Sequence, residues 1–171
     1  MAELVSVVVG ETLEYEGLFS MREVFRIIDK YFRQRAFDKK IIFDEEYMTP
    51  NGKYVHVKME PYKKWDDYIR MQVRLWIYGK NLVDVEKEVE GTKIKTNHGK
   101  LVIVFDSFIQ TDYRNRWDNP PIYFLLRSLM EKYIIGGRIK YWEEVSKYII
   151  QELKATLAGY LNTNKYLYSS K

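Results

Sequence analysis

Cysteine is absent from the 171 residues, and histidine occurs only twice. Without cysteine, the chain has no disulfide, no zinc–thiolate centre and no thiol nucleophile. With only His56 and His98, it has few candidates for the base that a nucleophilic serine requires. The surrounding patterns predict a polar sheet face for His56 and a hairpin turn for His98. We therefore assign no catalytic residue, expect no metal and no cofactor, and favour a protein that is not an enzyme.

Long apolar runs are also missing. The longest apolar stretch in the second half, Pro120–Leu126, falls far short of the ~20 residues that a membrane-spanning helix needs. Met1–Val9 lacks the basic start of a signal peptide. Nine Gly and four Pro fall mainly at breaks between periodic segments. These features predict one cytoplasmic domain over residues 1–161, followed by a flexible tail over residues 162–171.

Aromatic residues, in contrast, are abundant. They make up 16% of the chain, with 15 Tyr, 8 Phe and 4 Trp, and the charged residues leave a net charge of +4. The positive excess lies in the last 52 residues, which carry eight basic and four acidic side chains without a dense run. A charge spread so thinly is typical of a solvated face. Four Gln beside abundant Lys, Glu, Ile and Tyr resemble the composition of thermophile proteins.

The first helix has a clear start signal. Ser20 and Glu23 have the spacing of a capping box, in which the serine hydroxyl accepts from the glutamate amide. Apolar residues then recur at helical spacing as Val24, Ile27, Ile28, Tyr31 and Phe32. The pattern predicts a helix over Met21–Arg35.

A first hairpin follows, in which apolar and polar residues alternate on both sides of a turn at Thr49–Gly52. A register that pairs Phe43 with Met59 also places Glu46 opposite His56. We expect this register because it keeps the apolar residues on one face of the sheet.

A second hairpin is predicted from the strict alternation between Ile69 and Ile77. Gly79–Asn81 has the composition of a three-residue turn. Pairing across that turn brings Arg74 opposite Glu86, and the same register brings Arg70 opposite Glu90 and Ile77 opposite Val83.

The rest of the chain predicts a third hairpin and two helices. The hairpin turns at Asn97–Gly99, and its second strand ends near Tyr113. An apolar helix over Ile122–Ile135 stops at Gly136-Gly137, which is read as a cap. A long amphipathic helix follows over Lys140–Leu161. Because no crossover helices interrupt the strands, we predict an α+β fold with a curved antiparallel sheet packed on the C-terminal helix.

This order of elements resembles the helix-grip superfamily of START-domain, polyketide-cyclase-like and pollen-allergen-like proteins. The resemblance is one of topology, and three stretches carry it: Ser20–Arg35, the strands of Ile41–Tyr113, and Lys140–Leu161. The segment Trp117–Pro121 also resembles some cyclase-like members. The resemblance implies a cavity between sheet and helix that holds an apolar small molecule, and it implies no invariant catalytic residue.

The favoured function is therefore that of a small ligand-binding domain for an apolar or aromatic molecule. The expected lining consists of inward residues of the sheet and the helix: Met59, Met71, Val73, Leu75, Ile77, Trp142, Val145, Ile149 and Leu153. The same residues would equally well form a closed core, and the sequence leaves both readings open.

Two other functions are considered. Tyr62–Asp66 and Tyr113–Asp118 share the order Tyr, basic residues, Trp, Asp, which is typical of surfaces that bind single-stranded nucleic acid or a protein partner. The residues concerned are Lys63, Lys64, Trp65, Arg114, Arg116 and Trp117. The alternative is that the tryptophans anchor their loops on the core. An enzyme of the cyclase or hydrolase kind is the third hypothesis. A homodimer, formed through an edge strand or through the exposed aromatic residues, is a further expectation.

Overall fold

A computed structural model describes residues 3–89, 92–113 and 136–169. The described residues form six strands and two helices: β1 (Glu3–Phe19), α1 (Met21–Gln34), β2 (Ile41–Thr49), β3 (Gly52–Met59), β4 (Tyr62–Lys64), β5 (Ile69–Val89), β6 (Thr92–Thr111) and α2 (Gly136–Ser169). The helix predicted over Ile122–Ile135 lies outside the described residues, as do Arg114, Arg116 and Trp117.

The strands form one antiparallel sheet in the order β1-β6-β5-β3-β2, and the short β4 pairs with β5. The sheet does not close on itself, and α2 packs against its β1 and β6 strands. The predicted α+β class, with an antiparallel sheet and a long C-terminal helix, is confirmed. Strand, helix, sheet and final helix follow in an order that is compatible with a helix-grip topology.

The prediction for α1 is confirmed at both ends to within one residue. The Ser20 hydroxyl accepts a hydrogen bond from the Glu23 amide at 3.4 Å, which satisfies one of the free donors of the first turn. The apolar stripe faces inward, and Val24 and Ile28 are fully buried. Burial of this stripe, more than helix propensity, fixes α1 on the sheet.

The prediction for α2 needs two corrections at its ends. Gly136 and Gly137 belong to its first turn, so the helix begins before the predicted start at Lys140. The predicted cap at these glycines concerns the helix over Ile122–Ile135, which lies outside the described residues. The helix then continues to Ser169, beyond the predicted end at Leu161. Its buried face consists of Ser146, Ile149, Ile150, Leu153, Leu157 and Leu161. None of the helices within the described ranges is long and apolar enough to cross a membrane.

The inner face of β5 is as predicted, but the turn after it is not. Ile69, Met71, Val73, Leu75 and Ile77 are all buried. The predicted hairpin turns at Gly79–Asn81 and Asn97–Gly99 are wrong, because both segments lie inside long strands that pair with each other up to Val89 and Thr92.

Close packing explains why glycines occur there without a turn. The ladder between β5 and β6 shifts register between Lys80 and Val83, and Asn81 has a positive φ of 52°. A Cβ atom on Gly99 would lie 2.8 Å from the Lys80 carbonyl oxygen. The glycine therefore permits a β-bulge and a close backbone approach.

Because the chain does not turn at Gly79–Asn81, the cross-strand partners differ from the predicted ones. Arg74 lies opposite Asp106 instead of Glu86, and Ile77 lies opposite Ile103 instead of Val83. Arg70 likewise lies opposite Gln110, and it hydrogen-bonds to that side chain. His98 lies within β6 and not at a turn. The predicted pairings of Arg74 with Glu86 and of Arg70 with Glu90 are therefore wrong.

The first hairpin has the predicted turn and a different register. Thr49 pairs with Gly52 as expected, but Phe43 lies opposite Lys58 instead of Met59, and Glu45 instead of Glu46 lies opposite His56. The two-residue turn sets this register, because the pairing of Thr49 with Gly52 continues without a shift to Phe43 and Lys58.

The two long strands extend beyond the rest of the sheet. The last pair between β3 and β5 joins Lys53 to Leu82, and the last pair between β1 and β6 joins Phe19 to Asn97. Beyond these points, residues 83–89 of β5 pair with residues 92–98 of β6. We call this part the β5–β6 ribbon.

Candidate functional site

The structure brings most of the predicted ligand-lining residues together in one buried cluster. The cluster contains Met59, Met71, Val73, Leu75, Ile77, Ile149 and Leu153. Val145 packs against its edge, and Trp142 packs against a second, smaller cluster. Met59 also borders a small pocket of about 110 Å³ beside Phe32 and Phe37. Most of the residues thus belong to the core between the sheet and the two helices, and ligand binding by them stays a prediction.

The smaller cluster closes one end of this interface. Its centre is the pair Ile69 and Ile109, which lie where β5 begins and β6 ends. The rings of Trp65 and Trp142 stack over it with centroids 4.0 Å apart and planes at 22°. Ile139, in the first turns of α2, packs against the same group. This end of the sheet is thus covered by the beginning of α2.

The sheet and α2 each carry one buried serine near this end. Ser107 lies on the inner face of β6, between Phe105 of the main cluster and Ile109 of the smaller one. Ser146 occupies the corresponding position on α2, between Trp142 and Ile149. Both serines are 0% exposed. Along both elements the serine therefore marks the boundary between the two clusters.

Neither serine hydroxyl has a hydrogen-bond partner among the described residues. The same is true of the Thr111 hydroxyl, two positions after Ile109 on the same face, and of the Trp65 indole N–H. Other hydroxyls of α2 bond to the backbone one turn earlier, as Thr156 does with the Glu152 carbonyl at 2.8 Å. We call the four residues Trp65, Ser107, Thr111 and Ser146 the polar end of the core.

Such a group of atoms is energetically unusual. Leaving a buried hydroxyl or N–H unpaired costs about 1–3 kcal/mol, and folded proteins rarely retain such groups without a reason. Small-molecule sites typically combine a mostly apolar lining with a few hydrogen-bonding groups. Sequence reasoning missed the two serines, although each is a polar residue at a position where the periodicity requires an apolar one.

The outer face of the sheet carries a row of stacked aromatic rings. The His56 ring stacks on Tyr78 and Trp76 at centroid distances of 4.6 and 5.6 Å, and Phe43 meets its edge at 4.8 Å. The Lys58 ammonium lies 4.6 Å from the Trp76 ring. Because the ring faces are occupied by one another and by Lys58, this row stabilises the sheet and offers few free faces to a ligand.

Beside this row, Glu60 is buried among cations. Its carboxylate accepts from Arg74 Nε at 2.9 Å and from Gln72 Nε2 at 3.0 Å, and Lys58 Nζ lies 3.2 Å away. Burial by itself raises the pKa of Glu60, but the hydrogen bonds and charges of Arg74 and Lys58 outweigh it, so that the pKa lies below its ordinary value. Arg74 thus has a counter-ion that the sequence did not indicate.

The predicted nucleic-acid loop is described only in its first half. Lys63 donates to the Arg35 carbonyl at 2.7 Å, and its ammonium lies 4.2 Å from the Trp65 ring. Trp65 stacks on Trp142 and therefore packs against the core. Lys64 is exposed. Lys63 and Trp65 are thus engaged within the fold. For Trp65, this agrees with the alternative that the tryptophan anchors its loop on the core.

Comparisons with known proteins add no relationship to these observations. No protein-family model matches the sequence, and no curated protein is significantly similar to it.

Proposed function

We propose that the protein is a small-ligand-binding domain that holds an apolar or aromatic molecule between the sheet and α2, at the polar end of the core. The observation that carries the proposal is the pair of buried, unpartnered hydroxyls of Ser107 and Ser146 in apolar surroundings. Membership of the helix-grip superfamily is part of the same proposal, and the topology of sheet and helix supports it.

The chemistry of the surroundings defines the ligand class. Val73 lies directly opposite Ser107, and Met71 lies opposite Ile109, so the sheet side is aliphatic. Val145 and Trp142 stand beside Ser146 on α2. The site therefore requires an apolar body and one polar group. A molecule with one ring and one hydroxyl or carbonyl group has both, because its ring makes the apolar contacts and its polar group pairs with a serine. An ordered water molecule is the alternative partner for the hydroxyls.

The proposal predicts an unusual effect on stability. In ligand-free protein, Ser107→Ala and Ser146→Ala are each expected to raise the free energy of unfolding by about 1 kcal/mol, because each removes an unpaired buried hydroxyl. For a chain of this size that corresponds to about 2–4 °C in Tm. Urea denaturation after refolding, which removes any bound molecule, measures the change. Ser6→Ala, at an exposed position of β1, is the matched control and is expected to have no effect.

A loss of stability in both serine variants would show that the hydroxyls are already paired. That result would remove the observation on which the proposal rests.

Binding itself is tested with two nearly isosteric probes, phenol and toluene. We expect phenol to bind more tightly by roughly 2–10-fold, because a neutral hydrogen bond contributes about 0.5–1.5 kcal/mol. Combining Ser107→Ala with Ser146→Ala should abolish this preference while toluene still binds. The NMR signal of the Trp65 indole N–H reports occupancy, and native mass spectrometry of freshly purified protein detects a retained natural ligand. Absence of both signals would refute the proposal.

The nucleic-acid hypothesis is a second candidate with weaker support, since Lys63 and Trp65 are engaged within the fold. A gel-shift titration with single-stranded RNA at about 50 mM salt tests it, because phosphate contacts are strongest at low salt. A shift that Lys63→Ala and Lys64→Ala together abolish would support this function. For the cyclase or hydrolase hypothesis we assign no catalytic residue.

A further inference from the structure

The two helices enclose a second site on the side of α1 that faces α2. It is an open cleft of about 310 Å³. Its lining consists of Ile27, Lys30, Tyr31, Gln34, Arg35, Glu152 and Thr156. This volume is at the lower end for small-molecule sites, which fits a single-ring molecule and excludes a dinucleotide.

Helical spacing explains why these side chains meet. Tyr31 and Arg35 are four residues apart on α1, as are Lys30 and Gln34, so the helix presents two adjacent rows to the cleft. Glu152 and Thr156 form the matching row on α2. Each wall of the cleft is thus built from a regular helix.

The floor of the cleft is a fixed group of three side chains. The Tyr31 hydroxyl lies 2.8 Å from Glu152 Oε2 and 2.9 Å from the Ile149 carbonyl oxygen. Arg35 Nη2 donates to the same Glu152 oxygen at 2.6 Å, and the Arg35 Cζ atom lies 3.7 Å from the Tyr31 ring centroid. Burial raises the pKa of Tyr31, and its hydrogen bond to Glu152 raises it further, so the hydroxyl stays protonated. The Arg35 guanidinium thus lies over the Tyr31 ring and is fixed there by Glu152.

The rim of the cleft carries polar groups that are not engaged. Lys30 and Gln34 are exposed, and within the described part of the chain their side chains form no hydrogen bond or ion pair. The one carboxylate of the lining, Glu152, is paired with Arg35. The lining therefore has a net charge of +1, with an unpaired ammonium and an amide beside a fixed guanidinium.

We propose that this cleft binds a small aromatic carboxylate. The carboxylate group lies between the Lys30 ammonium and the Gln34 amide, where it finds a positive charge and a hydrogen-bond donor. The ring packs on the outer face of the Arg35 guanidinium and against Ile27, since guanidinium planes stack on aromatic rings. This site is separate from the polar end of the core and does not depend on it.

Benzoate and its neutral isostere benzamide are the probes for this proposal. In an NMR titration we expect benzoate to shift the Gln34 side-chain amide and the Tyr31 ring signals, and benzamide to bind at least about tenfold more weakly. Lys30→Ala should weaken benzoate binding by about tenfold. Arg22→Ala removes the same charge from the exposed side of α1, outside the cleft, and should change the affinity less than twofold.

Three results would overturn the proposal. These are equal binding of benzoate and benzamide, an equal loss in the Lys30→Ala and Arg22→Ala variants, and benzoate shifts confined to the Trp65 indole signal. The last result would place benzoate at the polar end of the core. The experiment can therefore refute the proposal for the cleft without refuting the proposal for the polar end of the core. Unchanged backbone amide spectra of both variants establish that each still folds.

Discussion

Phe105→Ala is expected to lower the free energy of unfolding by about 3–5 kcal/mol, which is the cost of emptying a buried aromatic position. Phe105 is 0% exposed on the inner face of β6, with Leu75 directly opposite on β5. It belongs to the cluster that joins the sheet to α1 and α2, so little of the space can close around the missing ring. Urea denaturation at pH 7 measures the loss.

The neighbouring substitution Val104→Ala is the matched control. Val104 points to the outer face of the same strand and is only half-buried. Its removal is expected to cost about 1 kcal/mol or less. Since domains of this kind are stable by about 5–15 kcal/mol, the two variants should differ plainly in midpoint. Equal losses would contradict the alternation of β6 described above.

Glu60→Gln is expected to cost about 1.5–3 kcal/mol at neutral pH, the range for hydrogen bonds to charged groups. The substitution keeps the shape of the side chain and removes the charge that Arg74 and Lys58 surround. Both cations are partly exposed and regain some hydration, which keeps the loss below that of a fully buried ion pair.

The loss should also depend on pH, in a direction fixed by the lowered pKa of Glu60. A carboxyl group with a folded pKa below its unfolded value stabilises the fold at pH values above the unfolded pKa. That contribution disappears as the pH falls through the folded pKa. The difference between wild type and Glu60→Gln should therefore be full at pH 7 and shrink below about pH 4.

Glu14→Gln provides the control for this prediction. Glu14 also has a lowered pKa, because of a hydrogen bond from Lys100, but it is a surface carboxylate. Solvent and salt screen such a pair, so we expect no measurable change in stability. A loss for Glu60→Gln that is the same at pH 3 and pH 7 would contradict the charge-based explanation.

Local signals predicted the elements whose structure depends on neighbours in sequence. The Ser20 cap and the apolar spacing after it define α1, because both act within one or two helical turns. The alternation from Ile69 to Ile77 identified the inner face of β5 for the same reason. These patterns remain valid whatever the strands pair with.

Pairing between strands was beyond the reach of those signals. Gly79–Asn81 has the same composition whether the chain turns or bulges, and the alternation continues in either case. The opposite charges of Arg74 and Glu86 supported a turn, yet the Arg74 guanidinium pairs with Glu60. A long-range partner decided the register, and no local pattern encodes its position.

In the candidate site, too, local patterns predicted some features and long-range contacts determined the others. The apolar lining followed from periodicity, since an inward position is defined by its own strand or helix. The unpaired state of Ser107 and Ser146 did not follow, because a buried serine ordinarily finds a backbone carbonyl, as Thr156 does. The α1–α2 cleft depends on which faces of two distant helices meet.

The β5–β6 ribbon has a consequence for how the molecule opens. Its residues 83–89 and 92–98 are held by a single ladder, apart from the two at its base that also pair with β1. An isolated pair of strands is only marginally stable in water. Its amide hydrogens should therefore exchange with solvent through local opening, while those of the central strands exchange only when the whole domain unfolds. Within the described sheet, we therefore expect β5 and β6 to open at their ribbon ends without unfolding at their central residues.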